Sequence, residues 1–97
     1  MKLGEIGEVG EMAMSPGLAD ALQGDKQLST DVHIAWQKYL QCDWGNLGED
    51  DKEMNNNAVE DPGSDRILAR YPTSQGDIYI ITEQDRSFTL IMFCNEY

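Results

Sequence analysis

The last third of the chain constrains the fold more than any other part. From Arg66 to Phe93 three short runs rich in β-branched and aromatic residues alternate with two turn-forming segments. Arg66 to Tyr71 sets Ile67, Ala69 and Tyr71 against Leu68 and Arg70. Ile78 to Thr82 is a continuous β-prone run. Ser87 to Phe93 sets Phe88, Leu90 and Met92 against Thr89, Ile91 and Phe93. The turns are Ser74-Gln75-Gly76-Asp77 and Glu83-Gln84-Asp85-Arg86. Connections this short join antiparallel neighbours, so the pattern predicts a three-stranded β-meander. Both alternations of the last run are apolar, which predicts a central strand or one covered on both faces.

Helical signals precede the strands. Ser15-Pro16 is a helix start, a hydroxyl cap followed by proline at the first helical position, and Gly24 is a stop. Ser29 or Thr30 is the predicted cap of a second helix running to about Gln41, with Val32, Trp36, Tyr39 and Leu40 forming one apolar stripe. Asp43-Trp44-Gly45-Asn46 breaks it. A third helix is predicted from Gly48 to about Glu60, with its acids in the first turn, where the helix dipole favours them. Met54, Ala58 and Val59 are its candidates for burial. Residues 1–12, with glycine at every third position from Gly4 to Gly10, are predicted to be a flexible lead, and residues 13–97 a single domain. The expected fold class is α+β: two to three N-terminal helices packed on one face of a three-stranded antiparallel meander. The main helix–sheet contact is expected among Trp36, Leu40, Ile80, Leu90 and Met92.

Charge is concentrated. The 97-residue chain has a formal net charge of −11. Between Gln41 and Asp65 eight carboxylates (Asp43, Glu49, Asp50, Asp51, Glu53, Glu60, Asp61, Asp65) face the single cation Lys52, a local balance of −7. An acidic surface of this density attracts basic partners or imitates a phosphate backbone. Seven scattered basic residues form no nucleic-acid footprint, so direct DNA or RNA binding is not expected. The start, MKLGEIGEVGEM, lacks the basic and apolar regions of a signal peptide, and no apolar run reaches membrane-span length. A cytoplasmic protein with free thiols at Cys42 and Cys94 is the expectation.

Few residues suggest catalysis. His33, the only histidine, falls beside the apolar stripe with no evident orienting partner. Cys42 sits next to Asp43 in the most acidic part of the chain, opposite to what a nucleophilic thiolate needs. Glu49-Asp50-Asp51-x-Glu53 lacks the glycine and terminal glutamate of a calcium loop, and helix-start acids explain it. No metal and no cofactor are assigned. Arg86, between Asp85 and Ser87, reads as an exposed hairpin tip paired with Asp43, Glu83 or Asp85. Trp44 reads first as a core plug, and alternatively as an exposed anchor of an interface.

Several strings together resemble a known group. They are MAMSPGLADAL, YLQCDWGNLGEDDKEMNNNAV, RILARYPTSQGDIYIITEQDRSFTLIMF and the terminal NEY. They are similar to a family of small bacterial proteins carried on plasmids, prophages and other mobile elements. Its pattern corresponds here to Pro16-Gly17, Asp43-Trp44-Gly45, Glu49-Asp50-Asp51, Asn55 or Asn56, Ala69-Arg70-Tyr71, Ile78 to Ser87 and Glu96-Tyr97. The chain departs from it at Tyr39-Leu40-Gln41-Cys42, where the family has His-x-x-Gly, and in the last strand, where the family has Thr-Thr and a proline. The family implies a genomic context and no defined activity.

Three functions follow as expectations. The first is a non-enzymatic binding protein of a mobile element that inhibits a host nucleic-acid-directed defence nuclease, of the anti-restriction or anti-CRISPR kind, by placing its acidic face in a basic groove. The residues assigned to partner binding are Asp43, Trp44, Glu49, Asp50, Asp51, Glu53, Glu83, Asp85 and Arg86. The second is an accessory interaction module that uses Trp44 and the hairpin without DNA mimicry. The third is a small hydrolase or metal-dependent enzyme, which an ordered metal or a cleft joining His33, Asp43 and Asp85 would support.

Overall fold

The computed structural model describes residues 6–97. The fold is α+β, with three helices and a four-stranded mixed sheet. In chain order the elements are β1 (Glu11–Met14), α1 (Pro16–Ala21), α2 (Lys26–Leu40), α3 (Glu49–Glu60), β2 (Ile67–Tyr71), β3 (Ile78–Thr82) and β4 (Phe88–Phe93), followed by a 3₁₀ turn at Cys94–Glu96. The strand order is β1-β4-β3-β2. β2, β3 and β4 form the expected antiparallel meander, with Ala69 opposite Ile80 and Ile80 opposite Ile91.

The fourth strand was not expected. β1 pairs in parallel with β4, Glu11 opposite Phe88 and Met14 opposite Ile91. The part of the presumed flexible lead that lies within the described residues is therefore ordered structure; Met1 to Glu5 lie outside them. Ile6 is buried, and its N–H donates to the Leu40 carbonyl at 2.9 Å. Gly10 has φ +68°, and a Cβ there would collide with the Arg86–Ser87 backbone. That glycine serves close backbone approach, which lets the strand reach the sheet. β4 is consequently central.

α2 begins earlier than Ser29. Asp25 is its cap, with Oδ1 accepting from the Leu28 N–H at 2.9 Å, and Thr30 instead bonds back to the Lys26 carbonyl from inside the helix. The earlier start brings Leu28 into the apolar stripe, and the buried face becomes Leu28, Val32, Ala35 and Tyr39. These residues follow i, i+4, i+7 and i+11 spacing, one side of a helix. Trp36 and Leu40 lie half-buried at its margin. The sheet face below is Ile67, Ala69, Tyr71, Ile78, Ile80 and Ile91. Ile80 therefore belongs to the core as expected, whereas Leu90 and Met92 point to the opposite face of the sheet, in the other phase of the alternation.

The phase of β4 is fixed by a buried polar chain. Thr89 Oγ1 donates to the Val9 carbonyl at 2.7 Å. A carbonyl can only accept, so the hydroxyl proton of Thr89 is committed there. Thr82 Oγ1, 2.7 Å from Thr89 Oγ1, must then be the donor to it. The Tyr39 hydroxyl, 2.5 Å from Thr82, donates in turn. The chain Tyr39–Thr82–Thr89–Val9 links α2, β3, β4 and the entry to β1, and burial raises the Tyr39 hydroxyl pKa. Thr82 and Thr89 are fully buried, and each hydroxyl is satisfied.

The end of α2 and the start of α1 are also locked. Cys42 N–H bonds to the Tyr39 carbonyl and Asp43 N–H to the Lys38 carbonyl, a Schellman closure with Cys42 at φ +63°, where glycine is usual. Ser15 caps α1 and also donates to Glu96 Oε1 at 2.6 Å, while the Phe93 N–H donates to the same oxygen. These bonds hold the Glu96 carboxyl below its ordinary pKa, the Ser15 bond contributing most.

Two predictions follow from this packing. Tyr39→Ala should cost about 3–5 kcal/mol and Trp36→Ala about 1–2 kcal/mol in denaturant unfolding, since the first empties the core and the second only its margin. Ser15→Ala should raise the Glu96 pKa in a ¹³C NMR titration. The depressed carboxyl contributes stability above the unfolded-state glutamate pKa and loses it as pH falls through the lower folded value. The variant should therefore lose part of the wild-type decline in stability across that acidic interval.

Candidate partner-binding surface

α3 carries the acidic face, and two asparagines attach it, Asn55 to β2 and Asn56 to Trp44. Its sequence, EDDKEMNNNAVE, has little to bury, and only Asn55 and Ala58 are buried. Asn55 Nδ2 donates to the Leu68 carbonyl at 2.8 Å, and its Oδ1 accepts from the Leu68 N–H at 3.2 Å. The side-chain amide thus acts as a segment of an extra strand along the edge of β2. Asn56 Oδ1 accepts from Trp44 Nε1 at 2.8 Å. Met54, expected to be buried, is exposed, because this edge is joined through polar rather than apolar contacts.

The Asp-Trp-Gly segment continues the same seal. Trp44 is 3% exposed and sits edge-on to Tyr39, with ring centroids 5.6 Å apart. It is the core plug of the first reading and offers no exposed anchor. Gly45 has φ +71°, and a Cβ there would press into the Arg70 carbonyl and the Tyr71 ring. This close approach lets Arg70 N–H reach the Trp44 carbonyl at 3.4 Å and Asn46 N–H reach the Arg70 carbonyl at 2.8 Å. Asp43 is exposed, its backbone carbonyl accepting from the Tyr71 hydroxyl at 2.6 Å.

Arg86 is not an exposed, carboxylate-paired turn tip. It is 9% exposed and adopts φ +61°. Its guanidinium donates to backbone carbonyls only: Ala58 at 2.8 Å, Asp65 at 2.9 Å, Glu83 at 3.0 Å and Gln84 at 3.3 Å. The planar fork of five donors suits such a set of acceptors, which an ammonium group would not span. Arg86 ties the last turn of α3 and the 61–66 loop to the β3–β4 turn, and Gln84 adds a bond to the Gly63 carbonyl at 2.8 Å.

This joint arranges the charges. Glu49, Asp50, Asp51 and Glu53 are exposed at the start of α3, and Glu60, Asp61 and Asp65 at its end and in the following loop. Asp85 is exposed in the adjoining turn with Glu83 half-buried beside it, and the Ser87 hydroxyl and N–H lower the Asp85 pKa. Lys52 lies 3.7 Å from Glu49, a surface pair of little energetic weight. A groove of about 360 Å³ lined by Asp51, Met54, Arg66, Leu68, Tyr79 and Tyr97 flanks the helix. The nine residues assigned to partner binding thus separate by burial, with Glu83 half-buried between two groups. Asp43, Glu49, Asp50, Asp51, Glu53 and Asp85 are exposed, whereas Trp44 and Arg86 are internal supports. The supporting contacts of Asn55 and Asn56 were not expected; the signals for them were the family pattern at Asn55 or Asn56 and three consecutive asparagines, weak helix formers, inside a helix.

Other chemistry is dispersed. His33 lines a groove between α2 and β1, Asp85 lines one beside Gly63, and these grooves share no residue. Burial raises the pKa of both Cys42 and Cys94, away from thiolate character. Among the described residues, no group of three or more His, Cys, Asp or Glu is placed to hold a metal, and no helix is long and apolar enough to cross a membrane. Comparison with known proteins finds no family model, no curated protein and no solved structure that matches this chain.

Arg86→Ala should lower stability by roughly 1–3 kcal/mol, because the buried Ala58 carbonyl loses a charged donor and three part-buried carbonyls lose theirs. Arg86→Lys should recover less than half of that loss. Urea unfolding of both variants checks the forked contact against simple charge.

Proposed function

We propose that this is a non-enzymatic binding protein that docks its α3 face on a basic groove of a partner, of the kind a nucleic-acid-directed defence nuclease presents. The observation that carries the reading is the exposure of seven carboxylates along α3 and its following loop, on a helix rigidly held by Asn55, Asn56 and Arg86. Preorganised charge binds with less ordering cost than charge on a mobile tail. The twelve residues of α3 span about 18 Å, comparable to roughly five successive phosphates at about 3.4 Å of rise along one strand. Mobile-element context, from the sequence resemblance, supports an anti-restriction or anti-CRISPR role. The burial of Trp44 weighs against the accessory reading that uses it as an anchor.

The local energetics agree. Glu49/Glu53 and Asp50/Glu53 are like-charge neighbours on one helix, each unfavourable by a few tenths of a kcal/mol. The helix dipole offsets part of this at the first turn.

Affinity purification from a host lysate at low salt, with mass spectrometry of the bound proteins, identifies the partner. Duplex DNA should displace it, and binding should weaken steeply as salt rises. Replacing Glu49 and Glu53 with Gln should leave folding intact or slightly improved while weakening the complex about tenfold, which corresponds to about 1.4 kcal/mol. A complex that survives these changes across a salt titration would rule out DNA mimicry.

A further inference from the structure

The two edges of the sheet are finished differently. Along β2 the outward groups of Leu68 are taken by Asn55 and those of Arg70 by Trp44 and Asn46. Along β1 the N–H groups of Glu11 and Ser15 turn inward, to Ser87 and Ile91 carbonyls at 3.1 and 2.9 Å. Alternate residues of a strand direct their backbone groups to the same side. Met12 and Met14 therefore turn theirs away from β4, and among the described residues nothing bonds to them. Met12-Ala13-Met14 also lacks the lysine, proline or bulge that usually protects an edge.

The side chains of this edge are equally unfinished. Met12 and Met14 stand on the helix face, in register with Thr89 and Ile91, and remain 47% and 44% exposed. With Leu22, Val32, Trp36 and Ile91 they line a mostly apolar groove of about 250 Å³, with Ser29 and His33 also on its wall. Glu11 and Ala13 face the other side. Among the described residues Glu11 has no ion-pair partner, and Asp85 is close by, bonded to the N–H of Ser87, whose carbonyl accepts from Glu11.

We propose that β1 receives an extended segment of a basic partner protein as a fifth strand. Main-chain bonds to Met12 and Met14 supply the pairing. Alternate apolar side chains enter the Met12/Met14 groove, and the intervening basic side chains meet Glu11 and Asp85 on the opposite face. Charge selects this occupant over a second copy, which would bring another net −11 to the contact. The site lies at the edge opposite β2 and does not depend on the role of α3.

The test uses the intact ¹⁵N-labelled protein and a capped synthetic peptide of alternating lysine and valine. Saturable shifts and slowed hydrogen exchange at the Met12 and Met14 amides are expected, strengthening at low salt. Two peptides N-methylated on alternate residues, in opposite phases, keep the same charge and composition. One phase should lose about tenfold or more in affinity, and the other should bind nearly as well as the parent. Met14→Pro should also abolish binding, since it removes an outward donor while sparing the bonds to β4. Equal binding of both methylated peptides, shifts confined to the α3 acids, or no saturable shift would overturn the proposal. So would concentration-dependent protection of Met12 and Met14 without peptide, which would identify a second copy as the occupant.

Discussion

The Arg86 guanidinium joins three segments that the rest of the chain leaves only loosely connected: the end of α3, the 61–66 loop and the β3–β4 turn. It does so without a carboxylate partner, through carbonyl oxygens. An internal cation in that setting has no cheaper arrangement than full satisfaction of its donors, which makes the contact geometrically demanding. α3 has almost no apolar face of its own. Remove this anchor and the two asparagine contacts, and little remains to hold the helix against the sheet. The orientation of the acidic surface therefore depends on polar contacts buried beneath it.

A second polar device adjoins it, since Arg86 bonds to the carbonyl of Glu83, the residue after Thr82. The hydroxyl chain from Tyr39 to the Val9 carbonyl has a single consistent donor direction and crosses helix, sheet and N-terminal segment. It makes β1 part of the sheet and sets which phase of β4 faces the helices. Hydrophobic burial alone would not choose, because both phases of that strand are apolar. Polar satisfaction supplies the register where apolar patterning is degenerate.

The two edges follow from these devices. β2 is sealed because α3 and the Asp-Trp-Gly segment lie along it and lend it backbone and amide partners. β1 is the other edge strand, paired with β4 on one side and with none of the described residues on the other. A protein that blocks one edge so thoroughly has the means to avoid strand addition there, which gives the open edge its interest.

Local chemistry made much of this legible in the sequence. The three antiparallel strands followed from β-branched runs and short turns, the N-terminus of α1 from Ser15-Pro16, and the exposure of the α3 acids from the absence of an apolar face around them. Tertiary structure decided the rest. A four-residue strand with glycine before it carries no periodic signal, so the first half of β1 was read as part of a flexible lead. Trp36 was placed at the centre of the core because Asp25, the actual cap, was read as part of a loop and Leu28 was left outside the helix. Arg86 looked exposed because its partners are carbonyl oxygens, which every residue possesses and no sequence distinguishes. The sequence by itself determined which segments are apolar, which are charged and where the chain turns, since those properties belong to single residues and their neighbours. Only the folded structure decided which polar groups meet, because hydrogen bonds between Asn55 and Leu68, or Arg86 and Ala58, depend on distances that arise only once the chain is packed.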